Sequence, residues 1–296
     1  MQIGFVGLGV MGTPMALNLA RAGTPLLVWS RSDGNYPALR DAGAQIAADP
    51  GEVFTGCDMV ILMLANDQAI DAVLGRSAPQ FAARVNTRMV INMSTTSAEY
   101  SRQLAADIRA AGGRYVEAPV SGSRKPAEAG QLVVMLAGAA ADVAAVRPLL
   151  KPLCRDSFEC GEVPAALTMK LAVNLYLITM VTGLSEAVLF ARQHGIDLAT
   201  FAAVLNAGPM ASEVSKGKLS KYVAGDFSVQ AAISDVLKNS RLVAAAAHQA
   251  GVAAPLLEVC RALYGETEAM GEGALDMVAV IHALEQRNPV LRDDAS

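Results

Sequence analysis

Short apolar runs and helical patterns alternate through the first half of the chain. Residues 3–6, 25–29, 59–64, 89–93, 114–116 and 132–136 are short, mostly apolar runs that read as strands. Between them, residues 14–22, 36–42, 67–73 and 97–111 carry helical spacing or helix-forming residues. This alternation predicts a doubly wound, mostly parallel sheet, because parallel neighbours need crossovers and the crossovers here are helical.

From about Cys160 onward the strand-like runs stop. Long helical patterns take over at 164–194, 198–205, 233–250 and 255–269, and no internal repeat is present. The segment 167–192 is apolar nearly all round, a pattern that a helix sustains where protein covers both its sides. It is expected to join the two halves and to pack into the core of the second, and against another subunit. The boundary falls near residue 162, giving an α/β domain over 1–162 and an all-α domain over 163–296.

Composition fits two domains. The 296 residues are 53% hydrophobic, 18% charged and 5% aromatic, enough chain for two cores without disulfides or structural metal. A net charge of −4, with Lys and Arg scattered singly, leaves no basic footprint for nucleic acid or an anionic membrane. A small-molecule partner is expected instead. Cys57, Cys154, Cys160 and Cys260 lack CxxC spacing and the three histidines are isolated, so no metal site is expected.

The mean hydropathy of +0.34 raises the question of a membrane span. The longest uncharged apolar stretch, 171–185, is bounded by Lys170 and Glu186 and interrupted by Asn174, Thr179 and Thr182. Spanning needs about 20 residues, so the stretch reads as a buried core helix. The N-terminal residues enter a strand pattern without the features of a signal peptide, which points to a cytoplasmic protein with reduced thiols.

Gly7-Leu8-Gly9-Val10-Met11-Gly12 follows the first strand directly and opens a helix, with Pro14 in its first turn. This is G-x-G-x-x-G in the strand–turn–helix context that gives the motif meaning. The first glycine permits the tight turn, the second admits a pyrophosphate, and the third allows close packing of helix on strand. Free N–H groups at the helix N-terminus would hold the anion. The first domain is therefore a dinucleotide-binding Rossmann domain, followed by the all-α domain that the long helix joins to it.

The second strand ends in Ser30-Arg31-Ser32, where an NAD site places an acid for the ribose 2′-hydroxyl. A guanidinium and two hydroxyls suit a 2′-phosphate, so NADP(H) is the expected cofactor, with Asp33 nearby as an opposing charge. Met63, Leu64 and Thr95 lie at the carboxyl ends of later strands, where open α/β sheets bind ligands. Thr95-Thr96-Ser97-Ala98-Glu99 also reads as a helix-capping start. Lys170 stands among apolar residues, and a buried charge needs a reason. Asn174 lies one turn later on the same face.

The segment Glu117-Ala118-Pro119-Val120-Ser121-Gly122-Ser123, continued by Arg124-Lys125-Pro126-Ala127-Glu128-Ala129-Gly130-Gln131-Leu132, resembles the substrate-binding signature of the β-hydroxyacid dehydrogenases. The likeness covers nearly the whole chain and is greatest to the glyoxylate and succinic semialdehyde reductase branch, which carries a similar S-G-S-K-K-P-A-E-x-G-Q-L run. It implies that Ser121, Gly122 and Ser123 hold a substrate carboxylate. It makes Lys170 the catalytic lysine of a K-x-x-x-N pattern with Asn174, acting as general acid or base on a small aldehyde or hydroxy acid, with its pKa drawn toward neutrality. It also implies that Lys238 reaches the cofactor and that Asn239 borders the substrate. Separately, the apolar helical half is so poor in charge that part of its surface is expected to be buried between subunits, in a homodimer or homotetramer.

Three departures from the family pattern bear on the substrate. The family's G-x-G before the lysine is here Pro164-Ala165-Ala166, the usual Asp after Lys238 is Asn239, and an expected aromatic falls at Ala231. Together they imply a roomier or differently charged pocket. Two other functions compete: imine reduction, by enzymes that share this architecture but commonly lack the lysine, and NADP binding without turnover. Retention of Lys170 weighs against both.

Overall fold

Residues Ile3–Val6 are buried to the last atom or nearly so, and form strand β1 at the centre of a nine-stranded sheet. The computed structural model describes residues 2–32 and 36–288. They divide into two units, Met1–Lys170 and Leu171–Ser296. The sheet belongs to the first. After β1 come β2 (Leu26–Trp29), β3 (Gln45–Ile46), β4 (Met59–Leu62), β5 (Met89–Asn92), β6 (Arg114–Glu117), β7 (Val120–Ser121), β8 (Leu132–Ala137) and β9 (Cys154–Gly161).

The strand order is β3-β2-β1-β4-β5-β6-β8-β7, with β9 beside β8. Strands β1 to β6 run parallel, β8 is antiparallel to β6 and β7, and β9 is parallel to β8. The central strands are apolar throughout because helices cover both faces. On one face Phe5, Ile61 and Ile91 pack with Met15 and Leu19 of the helix Gly12–Arg21. On the other Val60, Leu62 and Val90 pack with Phe54, Ile70, Leu104 and Ile108. The expected doubly wound sheet is thus the observed one.

Registry matters more than strand count for function. Val6 lies opposite both Trp29 and Leu62, Leu62 opposite Asn92, and Asn92 opposite Glu117. The carboxyl ends of five strands therefore stand in one row. β1 is flanked by β2 and β4, so the chain reverses its direction of winding at β1, and such a switch point opens a ligand crevice.

The second unit is helical, as expected. Leu198–Ala207, Glu213–Ala224, Ile233–Gln249, Pro255–Thr267 and Val280–Arg287 are its main helices beside the long one. Ile178, Val181, Leu237, Leu257, Leu263 and Tyr264 form its core. The helix Glu213–Ala224 has no counterpart in the sequence pattern, because its lysines read as a solvated surface. Two of them are buried instead. Lys218 Nζ donates to both oxygens of Asp276, at 2.7 and 3.0 Å, and Asp276 also accepts the amides of Gln230 and Ala231. Burial draws the Lys218 ammonium below the usual lysine range, and the Asp276 charge opposes that shift.

The long helix runs from Ala165 to Gln193. Its length and composition would suffice to cross a membrane. Lys170, Asn174, Thr182 and Ser185 are nevertheless buried along it, among core residues such as Leu171, Ile178 and Val181. Cover is incomplete in the single chain, since Tyr176 is 68% and Phe190 62% exposed.

Candidate active site

The glycine turn occupies the carboxyl end of β1. Gly7 has φ +102°, and a side chain there would meet the Met63 carbonyl. At Gly12 an added Cβ would collide with the Gly7 carbonyl, so this glycine lets the helix start against the turn. A Cβ at Gly9 would meet nothing within 4 Å. The middle glycine thus faces open space, the cradle a pyrophosphate needs, and the residues present fit a dinucleotide. No side chain caps the first turn of Gly12–Arg21, although Thr13 Oγ1 donates to the Leu8 carbonyl at 2.7 Å. The helix begins two residues before the expected position because glycine at its first position permits it.

Ser30 follows β2. Its hydroxyl accepts the Leu8 amide at 3.4 Å, and its own amide and carbonyl are both bonded by the Tyr36 hydroxyl at 3.0 Å. Arg31 and Ser32 are exposed beside it. Asp33 lies outside the described residues. Tyr36 was not apparent as part of this corner from sequence, because it reads there only as the start of a helix.

Met63 and Leu64 follow β4 in the next place along the row, both half-buried, and Leu64 donates its amide to Ser94 Oγ at 2.9 Å. Thr95 is half-buried beyond β5. The helix cap falls on Ser97, whose hydroxyl accepts the Tyr100 amide, so Thr95 is not the N-cap. Ser121 ends β7, and Gly122 turns at φ +132° against Leu132 and Pro126. Ser123 is the N-cap residue of the short helix Arg124–Glu128, yet its side chain makes no capping bond. The turn is tied to the glycine-motif helix by Asn18, whose amide donates to the Ala127 carbonyl at 2.8 Å.

Lys170 lies on the long helix and is only 7% exposed. Asn174, four residues on and so on the same helical face, is 2% exposed, and its Nδ2 lacks a partner among the described residues. A buried amide donor without an acceptor is costly and calls for a ligand or water. In the second unit, Lys238 and Asn239 are half-buried on Ile233–Gln249, and the buried Asn239 Oδ1 is likewise unpartnered. Ala231 is held by its amide on Asp276 and its carbonyl on the Met277 amide. Among the described residues no group of His, Cys, Asp and Glu could hold a metal ion.

Beneath this row runs a buried polar chain that sequence reasoning missed. Ser94 donates its amide to Asn92 Oδ1 at 3.1 Å, and Asn92 Nδ2 donates to the Tyr115 hydroxyl at 3.0 Å. The Tyr115 hydroxyl lies 2.8 Å from Ser101 Oγ, which donates to Glu117 Oε1 at 2.5 Å. Glu117 Oε2 accepts the amides of Ala166 and Leu167 at 3.1 and 3.2 Å. Burial pushes the Glu117 carboxyl above its ordinary range, while the Ser101 hydroxyl and the two amides hold it back. The sequence signal was a carboxylate closing an apolar strand, which has no meaning until its partners are known.

A doubly wound sheet with a glycine turn that leaves room at its middle residue defines a dinucleotide-binding domain of the Rossmann type. Residues 2–161 match the NAD-binding domain of 6-phosphogluconate dehydrogenase, and residues 165–284 match the NAD-binding domain of NADP-dependent 3-hydroxyisobutyrate dehydrogenase. The chain belongs to the 3-hydroxyisobutyrate dehydrogenase family of NAD(P)-dependent β-hydroxyacid dehydrogenases. It is 32% identical to glyoxylate/succinic semialdehyde reductase 1 of Arabidopsis thaliana over 96% of this chain and 99% of that one. It is 29% identical to 2-(hydroxymethyl)glutarate dehydrogenase of Eubacterium barkeri, over 98% and 96% respectively. The crystal structure of a 3-hydroxyisobutyrate dehydrogenase from Salmonella typhimurium superposes with a TM-score of 0.87 at 25% identity, covering 95% of this chain and 99% of that one.

Proposed function

We propose that the chain is an NADP(H)-dependent enzyme that reduces small carboxylate-bearing aldehydes, and oxidises the corresponding hydroxy acids, with Lys170 as general acid and base. The observation that carries the reading is the buried pair on one helical face, Lys170 and the unpartnered amide of Asn174. A buried ammonium on the same face as an unpartnered amide donor is suited to a carbonyl oxygen that gains charge as it is reduced. Asn174 would orient that oxygen with its free N–H.

The nicotinamide, when bound, supplies or accepts the hydride. In reduction, Lys170 Nζ holds the substrate oxygen, stabilises the charge that develops there and gives it a proton. In oxidation the neutral amine takes the proton back. Ser121, Gly122 and Ser123 bind the carboxylate through hydroxyl and amide donors, and Ser123 is suited to this because its hydroxyl makes no capping bond. Gly7, Leu8, Gly9, Val10, Met11 and Gly12 hold the pyrophosphate. Ser30, Arg31 and Ser32 receive the 2′-phosphate, while Met63, Leu64, Thr95 and Lys238 border the cofactor.

Asn239 and Ala231 replace a carboxylate and an aromatic, which favours a four-carbon semialdehyde over glyoxylate because fewer groups enclose the smallest acid. We place the enzyme in the cytoplasm as a homodimer or homotetramer, with no nucleic-acid or membrane partner. The exposed Tyr176 and Phe190 support burial between subunits. The test is NADPH oxidation with succinic semialdehyde, glyoxylate and an uncharged aldehyde of similar size. Activity with the acids above that with the neutral compound supports the reading, and activity on neutral carbonyl compounds alone refutes it.

A further inference from the structure

Glu117 is completely buried at the end of β6, and it holds the first turn of the helix that carries Lys170. Two backbone donors converge on one carboxylate oxygen and a hydroxyl donor meets the other. A carboxylate at a helix N-terminus complements both the unpaired amides and the helix dipole. The Ser101 hydroxyl meets Oε1 at 2.5 Å, in the short range of bonds to a carboxylate, while the two amides meet Oε2 at 3.1 and 3.2 Å, so the carboxyl group is held from both sides. Ala166, one of the two donors, also packs against Met135 and Ala137 of β8. The helix start is therefore fixed in both direction and depth.

Lys170 lies three and four residues beyond the gripped amides, about one turn along the axis. Long side chains on a helix lean toward its N-terminus, over the preceding turn. The turn under the lysine stem is the one Glu117 holds. At its other end the chain through Ser101, Tyr115 and Asn92 reaches Ser94, whose hydroxyl receives the Leu64 amide. Leu64 belongs to the segment assigned to the cofactor. One network, buried from Ser94 to Glu117 and ending at the half-buried Leu64, thus joins the cofactor-side loop to the helix of the acid–base residue.

We propose that Glu117 is the positioning residue for Lys170, fixing its helix relative to the cofactor-side loop so that the ammonium meets the reacting oxygen. The inference rests on Lys170 being the acid–base residue. Every link can donate toward Glu117: Asn92 to Tyr115, Tyr115 to Ser101, and Ser101 to the carboxylate. Glutamine breaks that order. Its oxygen can accept the two amides, but its NH2 group then faces the Ser101 hydroxyl that formerly donated to it. A residue that merely supported the fold would affect binding and turnover together, whereas a positioning residue affects turnover.

The test uses the full-length protein with NADPH and succinic semialdehyde. Glu117→Gln should lower kcat about tenfold or more, the scale expected when a catalytic group is slightly misplaced. Its KM for the aldehyde and Kd for NADPH should stay within about twofold of native, because uniform binding is not what the contact supplies. Ser101→Ala removes one of three donors and should show the same split in milder form. A native kcat in Glu117→Gln, with Lys170→Ala inactive, would overturn the positioning role and leave the proposed reaction standing. Turnover persisting in Lys170→Ala would overturn both. A parallel loss of kcat, KM and NADPH affinity would show a structural role only. If Glu117→Gln does not fold, Ser101→Ala decides: lowered kcat with native KM and Kd supports the role, and native kcat overturns it.

Discussion

Adding one methyl group at Gly9 and one at Gly12 should have opposite consequences. The Gly12 Cβ would collide with the Gly7 carbonyl and press on the Phe5 ring at 3.3 Å. Backbone cannot step aside as a flexible side chain can, so the overpacking cost should reach about 3 kcal/mol, the upper part of its usual range. Helix propensity returns up to about 1 kcal/mol. A net loss of about 2 kcal/mol corresponds to a fall in Tm of about 4–8 °C for a domain of this size. At Gly9 the added Cβ meets nothing within 4 Å. Alanine there should leave Tm unchanged or raise it slightly, since it restricts the unfolded chain by about 0.4–1 kcal/mol. It would instead fill the space that a pyrophosphate needs, and NADPH Kd should rise about tenfold or more, equivalent to ~1.4 kcal/mol per decade. Thermal unfolding and NADPH fluorescence titration on both variants suffice. A Gly9→Ala protein that binds NADPH as tightly as native, or a Gly12→Ala protein of native stability, would refute this division of labour.

Arg31→Ala should weaken NADPH use by tenfold or more, a loss of about 1.4 kcal/mol or above, and leave NADH use nearly unchanged. Equal losses with both cofactors would remove the argument for a 2′-phosphate site. Native enzyme should show a higher kcat/KM for succinic semialdehyde than for glyoxylate, and Asn239→Asp should move the ratio toward glyoxylate. A native preference for glyoxylate would contradict the pocket reading. Glu117, raised by burial, has a folded pKa above its unfolded one, so its contribution to stability is full below the unfolded value and declines as pH rises through the folded value. Tyr115 and Cys160, the titratable groups facing it, are themselves pushed upward and stay neutral there. Chemical denaturation from pH 4 to 7 should therefore show native protein losing stability relative to Glu117→Gln as pH rises, and a constant difference would contradict the assigned shift.

The parts legible from sequence are those whose signal is local. β1 and the glycine turn carry their own explanation, since an apolar run followed by G-x-G-x-x-G needs no distant partner to be read. β9 escaped notice because Arg155, Asp156 and Glu159 interrupt its apolar residues, and its pairing with β8 supplies what its composition lacks. The helix Glu213–Ala224 was not among the sequence-predicted elements, since its lysines mask the apolar pattern, and the partner of the buried Lys218, Asp276, lies 58 residues beyond it. Lys170 and Asn174 stood out by their polar character in an apolar run. Glu117 did not, because its meaning depends on two amides about 50 residues away and a serine on another helix.

The central claim is that Lys170 carries proton transfer in an NADPH-dependent carbonyl reduction. The most direct measurement is single-turnover reduction of succinic semialdehyde by the preformed NADPH complex of Lys170→Ala, followed at the nicotinamide absorbance. The account predicts native NADPH affinity with a rate lowered about 10² to 10⁴-fold, the usual contribution of a general acid. A folded variant that binds NADPH and turns over at near the native rate would contradict it.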